Sequence, residues 1–326
     1  MALTTGGIVT GTSGLDSTRL SPIFQKKFLQ TAISKLCLAD IAEQFDLPKN
    51  AGSLTMRFFR RAEATAATAA ANVRAVTEGT PLTQFSNTTI DPVEVSLLQY
   101  GDQAKITDTR QMTDIIKQLD LEATRMGEEA AIHLDTQIRD ALWSGTGSIG
   151  ATAAQVIDKA SSTTSAGLAV LDLDKAVTIL TENRAPTFAG GCYIAVVSPR
   201  QAYELRRDAD WKNVATYSDK ERIYNGEIGK IFNVKVVIGT NPKTHSYTNG
   251  SAKTGETAIV LGRECAGTIK LAGTNSPMAP QLIYNDKPDK SDPMNLFNIV
   301  AWKAWYASMC LNPKFGVLIK TERNAL

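Results

Sequence analysis

Apolar positions recur at spacings of three and four in one long stretch of the first half of the chain. Asp108 supplies a side chain suited to an N-cap, and Ser144 with Gly145 supplies a glycine stop signal. The spacing predicts one helix over about 109–143, on the order of 50 Å long at ~1.5 Å per residue. Its stripe is narrow, which favours a helix lying across a sheet. The stripe is formed by Ile115, Leu119, Ala123, Met126, Ala130, Leu134, Ile138 and Ala141.

Two strand patterns precede this helix. Residues 54–61 have strand composition, and within 89–107 apolar and polar positions alternate with the period of a half-buried strand. Between them lies a small, polar segment with the turn signal Glu-Gly-Thr-Pro at 78–81. An unbroken strand over 89–107 would span on the order of 60 Å at ~3.4 Å per residue, longer than a compact domain requires. The pattern therefore predicts a hairpin over 54–107 that projects from the body.

The segments on either side of these elements differ in character. Residues 1–20 are rich in Gly, Thr and Ser, which predicts an extended arm that is ordered only against a neighbour. Residues 21–45 carry apolar positions for one or two short helices that end before Pro48. Together they give an N-terminal unit of residues 1–53.

After residue 165 the pattern alternates between helix and strand. Helices are predicted at 171–184 and 200–208, and strands at 192–197 and 234–238. These elements form a predicted inserted α/β block over 166–255. The residues that follow return to strands, at 258–261, 266–272, 281–284, 296–311 and 315–321.

Composition narrows the class of protein. The chain has 326 residues, 43% hydrophobic and 21% charged, with a formal net charge of +2. This near balance of charges gives no strong electrostatic attraction for nucleic acid or an anionic membrane. If the protein contacts DNA, we expect it to enclose the DNA and not to recognise its sequence. There is neither a run of about 18 apolar residues nor a signal-peptide pattern, so no membrane partner and a cytoplasmic site of synthesis are expected. The four cysteines lie far apart and are expected to be buried free thiols.

One motif imitates a cofactor site. The segment Gly145–Gly150 matches G-x-G-x-x-G, and Asp172 follows at about the distance of a ribose-binding carboxylate. That mechanism requires the loop to leave a strand and to open a helix, whereas here it leaves a predicted helix. We therefore expect a flexible connector and no cofactor.

Catalytic and metal chemistry are weakly represented. The only histidines are His133 and His245, and no G-x-S-x-G elbow or cysteine cluster accompanies them. The carboxylates of 286–292 lack the glycine and terminal glutamate of a calcium loop, which favours a solvated loop. The aromatic run 297–306 contains a single lysine, which favours core packing over base stacking. No metal site and no enzyme activity are expected.

Charged residues on and near the hairpin are the candidate contact residues. They are Arg57, Arg60, Arg61, Arg74 and Glu78. Guanidinium groups suit bidentate contacts with carboxylates of a neighbouring subunit, whereas the alternative is a solvated strand face.

The order of these elements resembles the major capsid protein of tailed bacteriophages with the HK97 fold. Four short stretches carry the resemblance in sequence: Val76–Leu82, Leu98–Asp102, Ile223–Gly229 and Val300–Lys303. Their order and spacing across nearly the whole chain make the resemblance specific.

The resemblance implies an α+β fold with an N-terminal arm (1–53), an extended hairpin loop (54–107) and an axial α/β domain (166–255). The spine helix and a peripheral β-rich domain are then formed by 108–165 and 256–326. It further implies pentamers and hexamers that form an icosahedral shell around double-stranded DNA, assembled in the host cytoplasm.

Two departures from that family shape further expectations. Some members link subunits through a hairpin-loop lysine, but residues 51–104 contain none, so a noncovalent shell is expected. The short N-terminal segment leaves little room for a fused scaffolding domain. A separate scaffolding protein and a portal are therefore expected partners, and a decoration protein is left open.

Two other functions remain as alternatives. A bacterial nanocompartment shell protein of similar fold would enclose cargo enzymes instead of DNA. A soluble α/β nucleotide-binding enzyme would use the loop Gly145–Gly150, and it would be a small oligomer.

Overall fold

A computed structural model describes most of the chain. Its described residues are 37–48, 52–61, 73, 78–79, 90–113, 118–144, 147–159, 167–211, 227–249, 251–271, 281–285, 294 and 296–323. Within them the α-helices are α1 (Leu38–Ile41), α2 (Asp108–Thr113), α3 (Gln118–Trp143), α4 (Val170–Glu182) and α5 (Pro199–Arg207). The first strands are β1 (Glu43–Leu47), β2 (Thr55–Arg61), β3 (Ile90–Ser96), β4 (Leu98–Thr107), β5 (Val156–Asp158), β6 (Tyr193–Val197) and β7 (Glu227–Ile231). The remaining strands are β8 (Val234–Ile238), β9 (Lys243–Asn249), β10 (Ser251–Leu261), β11 (Ala266–Leu271), β12 (Gln281–Asn285), β13 (Phe297–Cys310) and β14 (Gly316–Glu322).

The long strand β13 organises a five-stranded sheet. It pairs antiparallel with β4 on one side, and on the other with β11 and β12, while β1 adds to β11 in parallel. Val300, Trp302, Ala304 and Tyr306 alternate along β13 and are buried. The predicted core packing is confirmed for Trp302 and Tyr306, whereas Phe297 at the start of the run is 38% exposed.

Helix α3 packs on this sheet, and its buried residues share one apolar cluster with those of β13. The predicted stripe is buried from Ala123 to Ile138. At its C-terminal end Leu142 is fully buried in place of the predicted Ala141, which is half-buried. The helix ends at Trp143, as the Ser-Gly signal indicated. Residues 114–117 lie outside the described part, so the continuity of the predicted helix over 109–143 stays a prediction.

A seven-stranded mixed sheet holds the α/β block. Its order is β5-β14-β10-β6-β8-β7, with β9 pairing additionally with β10. Strands β6 and β8 are parallel and are connected through α5, whose start is fixed by a capping box between Ser198 and Gln201. The helices and strands predicted in this block are all present, and their ends differ from the prediction by at most two residues.

The strand predicted over 89–107 is wrong as a single element. It divides at Leu97: β3 pairs with β2 in a separate two-stranded sheet, whereas β4 pairs along its whole length with β13. Leu97 is buried, and its N–H donates to the carbonyl oxygen of Leu54 at 2.9 Å. The hairpin therefore leaves the body at residue 97, and residues 98–107 belong to the five-stranded sheet.

Two other expectations need correction. Residues 43–45, the end of the predicted helical segment 21–45, instead belong to β1. Glu43, Phe45 and Leu47 alternate in burial with exposed residues, and the edge of β11 accepts a parallel partner. The predicted boundary between 255 and 256 cuts through β10, which pairs with the C-terminal strand β14. Residues 316–322 thus share a sheet with the α/β block.

Candidate assembly surfaces

The hairpin formed by β2 and β3 has one face turned toward its own chain. Met56, Phe58, Val93 and Val95 pack on a small cluster of buried residues that belongs to the five-stranded sheet. The ring of Phe58 meets that of Phe45 edge-on, with centroids 4.7 Å apart. This face fixes the base of the hairpin to the body.

The opposite face of the hairpin is exposed and partly apolar. Because side chains alternate along a strand, Phe59 points away from the cluster that holds Phe58. Phe59 is 69% exposed and lies opposite Pro92, and Ile90 on the neighbouring strand is 57% exposed. A monomer gains little from these apolar groups, so this face is a candidate contact surface.

Two of the predicted contact arginines have acidic partners on the hairpin itself. The guanidinium of Arg57 contacts the carboxylate of Glu94, and that of Arg60 lies 3.8 Å from the carboxylate of Asp91. Each pair joins residues that face each other across β2 and β3. Exposed pairs of this kind contribute little to stability, about 0–1 kcal/mol. They hold the arginines in place while leaving donors for another carboxylate.

The other predicted contact residues are less fully described. Glu78 is exposed in a turn with Gly79, whose φ of +77° is the left-handed conformation that glycine adopts readily. The backbone of Arg61 closes β2 opposite Ile90. The side chain of Arg61 and all of Arg74 lie outside the described residues.

The joint between the N-terminal segment and α3 is polar and buried. The carboxylate of Asp135 accepts hydrogen bonds from the backbone N–H groups of Cys37 at 2.8 Å and Ala39 at 3.2 Å. It thereby caps the short helix α1, which has no cap of its own. Burial raises the pKa of Asp135, and the backbone hydrogen bonds oppose that rise. Sequence reasoning missed this residue because its partners lie about a hundred positions away.

A second joint links α3 to the seven-stranded sheet. Arg139 donates to the side-chain oxygen of Asn241 at 2.6 Å, and Lys243 contacts the carboxylate of Asp140 at 2.8 Å. Burial acts to raise the pKa of Asp140, but the hydrogen bond from Lys243 and the nearby charge of Arg139 outweigh it and lower that pKa. The spine helix is thus bound to both sheets.

The two histidines lie in polar-aromatic packing. His133 on α3 hydrogen-bonds the hydroxyl of Tyr306, and its ring lies 4.7 Å from that of Tyr100. His245 stacks on Trp143 and hydrogen-bonds the hydroxyl of Thr257 at 3.2 Å. Burial lowers the pKa of both histidines. Both histidines are half-buried.

The imitated cofactor motif has the wrong structural context for a nucleotide. It follows the end of α3 and continues into a short 3-10 turn at Ile149–Ala151, so it does not connect a strand to a helix N-terminus. Asp172 is buried at the first turn of α4, where it pairs with Lys159 at 2.7 Å and accepts a hydrogen bond from the N–H of Ala169. These residues fix a helix start.

The described residues contain no group of three or more His, Cys, Asp or Glu side chains arranged to hold a metal ion. In the same part of the chain, no helix is long and apolar enough to cross a membrane. The four cysteines are free; Cys37 is half-buried and the other three are buried.

Comparisons of sequence and of structure both find phage capsid proteins. The model of the phage capsid protein family matches residues 90–319. A search of curated proteins finds no match. The capsid of Ralstonia phage GP4 has a similar structure, with a TM-score of 0.65, 16% identity, and coverage of 87% of this chain and 88% of that chain.

Two further solved structures are similar over most of their length. The acid-stable capsid of Helicobacter pylori bacteriophage KHP30 has a TM-score of 0.65 and 12% identity, covering 99% of this chain and 96% of that one. The holo-SrpI encapsulin complex of Synechococcus elongatus has a TM-score of 0.57 and 9% identity, covering 89% and 90%. At such identities the likeness concerns the fold, and it confirms the predicted α+β fold of HK97 type.

Proposed function

Because this chain belongs to the phage capsid protein family and is a structural major capsid protein, we propose that its copies assemble as pentamers and hexamers into an icosahedral shell around double-stranded DNA. The protein is a component of the virion capsid, and its partner there is itself. The match of the family model over residues 90–319 carries this proposal. The near-neutral charge supports it, since the inner wall of a container does not have to grip densely packed DNA.

We propose that the hairpin extends over the neighbouring subunit and contacts it. Its inward face is occupied by its own body, whereas its outward face presents Phe59 and Ile90 to solvent. Burying such groups against a neighbour releases apolar surface from water. Arg57 alternates onto the same face as Phe59, whereas Arg60 falls on the face of Phe58 and pairs with Asp91 at the edge of the hairpin. We propose that the predicted contact residues, Arg57, Arg60, Arg61, Arg74 and Glu78, add charged contacts to the same neighbour.

We propose that each of the two large sheets forms the core of one domain. For 1–53 we propose an N-terminal unit with an arm, although residues 1–36 lie outside the described part and 43–47 form β1. The proposed projecting hairpin is shortened from 54–107 to 54–96. The peripheral domain combines the five-stranded sheet with α3, and the axial domain around each capsomer centre is built on the seven-stranded sheet. This last assignment keeps the proposed block 166–255 and adds to it β5, β14 and the rest of β10.

The proposed partners other than the chain itself are a separate scaffolding protein and a portal, with a decoration protein left open. Assembly is proposed to occur in the host cytoplasm, without a cofactor and without catalysis. DNA is enclosed and not read. The similarity to an encapsulin supports one alternative, a shell that encloses protein cargo.

The test is the mass of the purified full chain by size-exclusion chromatography with light scattering at several protein concentrations. Pentamers, hexamers or megadalton shells are the expected result. A monomer or dimer that stays unchanged with concentration and with added scaffolding protein would contradict the proposal. Nucleic acid in particles purified from infected cells, measured by the ratio of absorbance at two wavelengths, separates a DNA container from a cargo shell.

A further inference from the structure

The turn between β7 and β8 contains an unusual residue. Ile231 and Val234 face each other as an antiparallel pair, and only Phe232 and Asn233 connect them. The φ angles of these two residues are +46° and +62°. Two positive values define the mirror-image turn that suits tight hairpins, and Gly, Asn and Asp dominate it. Asn233 fits this preference, whereas the Cβ and ring of Phe232 are disfavoured in the left-handed region.

The subunit itself gains little from placing an aromatic ring there. Phe232 is 51% exposed, although Ile231 at 4% and Val234 at 0% are buried on either side of it. The turn is well fixed without the ring, because the carbonyl oxygen of Asn233 accepts a hydrogen bond from the N–H of Tyr193 at 2.8 Å. A strained conformation that holds an apolar side chain in solvent calls for a contact outside the subunit.

The turn is also accessible to another molecule. Strand β7 is the last strand of the seven-stranded sheet within the described residues, so Phe232 lies at an outer corner of that sheet. At the same end, the chain enters β6 through the exposed turn of Ala189, Gly190 and Gly191. The parallel pairing of Tyr193 with Val234 places this turn of small residues at the same end of the sheet as Phe232, which leaves room for a neighbouring surface to approach.

We propose that Phe232 is an anchor residue that packs against a second copy of this chain in the assembled shell. The partner follows from the family, whose shell places copies of one chain side by side. Aromatic residues that become fully desolvated dominate the binding energy of such interfaces. The inference rests on self-assembly, the proposed function, but it concerns the sheet corner and not the hairpin.

The first experiment compares Phe232→Asn with Phe232→Tyr in the full chain. Asparagine relieves the turn, so the melting temperature of the unassembled subunit is expected to stay the same or to rise. Assembly, followed by light scattering, is expected to require roughly tenfold more protein, as for loss of an interface anchor. Tyrosine keeps the ring and is expected to assemble as the unaltered chain does.

Photo-crosslinking tests the contact directly. Benzoylphenylalanine is placed at position 232 or, as a control, at the buried Tyr193. Irradiated particles are expected to give crosslinked dimers from position 232 only, and unassembled subunits to give none. Assembly of the unaltered chain is recorded first, because its failure would contradict the proposed function itself. The anchor role is wrong if particles of the unaltered chain form and any of three results is found. These are normal assembly of Phe232→Asn, a lower stability of the Phe232→Asn subunit, and the absence of crosslinked dimers from position 232.

Discussion

The hairpin offers a matched pair of substitutions at adjacent positions, because Phe58 and Phe59 lie on opposite faces of β2. Phe58 packs on its own body, where its ring contacts Phe45 at a centroid distance of 4.7 Å. Removing a buried phenylalanine costs about 3–5 kcal/mol, and Phe58 is half-buried, so Phe58→Ala is expected to destabilise the subunit by about 2–3 kcal/mol. Phe59 is 69% exposed, and the same change there is expected to cost the subunit less than about 1 kcal/mol.

For assembly, Phe59→Ala is expected to have a larger effect than Phe58→Ala. Complete burial of a phenylalanine side chain contributes about 1.5–3 kcal/mol, and the 69% of Phe59 still exposed in the subunit corresponds to about 1–2 kcal/mol per contact. This free energy is a factor of roughly 5 to 30 in the association constant. Phe59→Ala should therefore raise the protein concentration needed for half-maximal assembly by that factor.

Both quantities can be measured on the same preparations. Urea unfolding of the subunit, kept below its assembly concentration, gives stability, and light scattering against concentration gives assembly. The reasoning is refuted if Phe59→Ala assembles like the unaltered chain, or if it destabilises the subunit as much as Phe58→Ala does. Either result would mean that the outward face of the hairpin is not an intersubunit contact.

One further prediction concerns covalent bonds between subunits, and two concern the stability of the subunit. Residues 51–104 lack lysine, so boiled and reduced particles should run as one band near 35 kDa, and a covalent ladder would contradict a noncovalent shell. Asp135→Ala leaves the N–H groups of Cys37 and Ala39 without their acceptor, and a loss of about 2–4 kcal/mol in urea unfolding is expected, with Asp135→Asn losing less. Burial lowers the pKa of His133, so the unfolded chain takes up the proton more readily and stability should fall as the pH drops below about 6.5. His133→Gln should lessen the drop in melting temperature between pH 7 and pH 5.5, and an unchanged drop would assign the acid sensitivity to other groups.

Local patterns were sufficient for much of the fold. The strand at 234–238 and the end of α3 at Trp143 are in the structure as predicted. Both depend on neighbours in sequence, namely a short apolar run after a turn and a helix followed by a Ser-Gly pair. The family resemblance supplied the HK97-type arrangement of these elements, which no local pattern contains.

Features that depend on distant partners could not be predicted. The pairing of β1 with β11 and the cap that Asp135 provides for α1 join segments far apart in sequence. The same holds for the candidate contact surface. Sequence identified Arg57 as a charged group on a strand, but only the register of β2 and β3 places Glu94 beside it and turns Phe59 outward.

The division at Leu97 does have a signal in the sequence, and it explains how the hairpin leaves the body. Before the division the inward side chains are at odd positions, at Val93, Val95 and Leu97, whereas after it they are at even positions, at Ala104 and Ile106. A continuous strand cannot change parity, because successive side chains point to opposite faces. The change follows the consecutive leucines at 97 and 98: Leu97 is buried at 3%, Leu98 is 56% exposed, and the next half-buried side chain is at the even position Tyr100. The break frees the strand preceding it from the five-stranded sheet, so that a chain segment continuous with the core can carry a projecting hairpin.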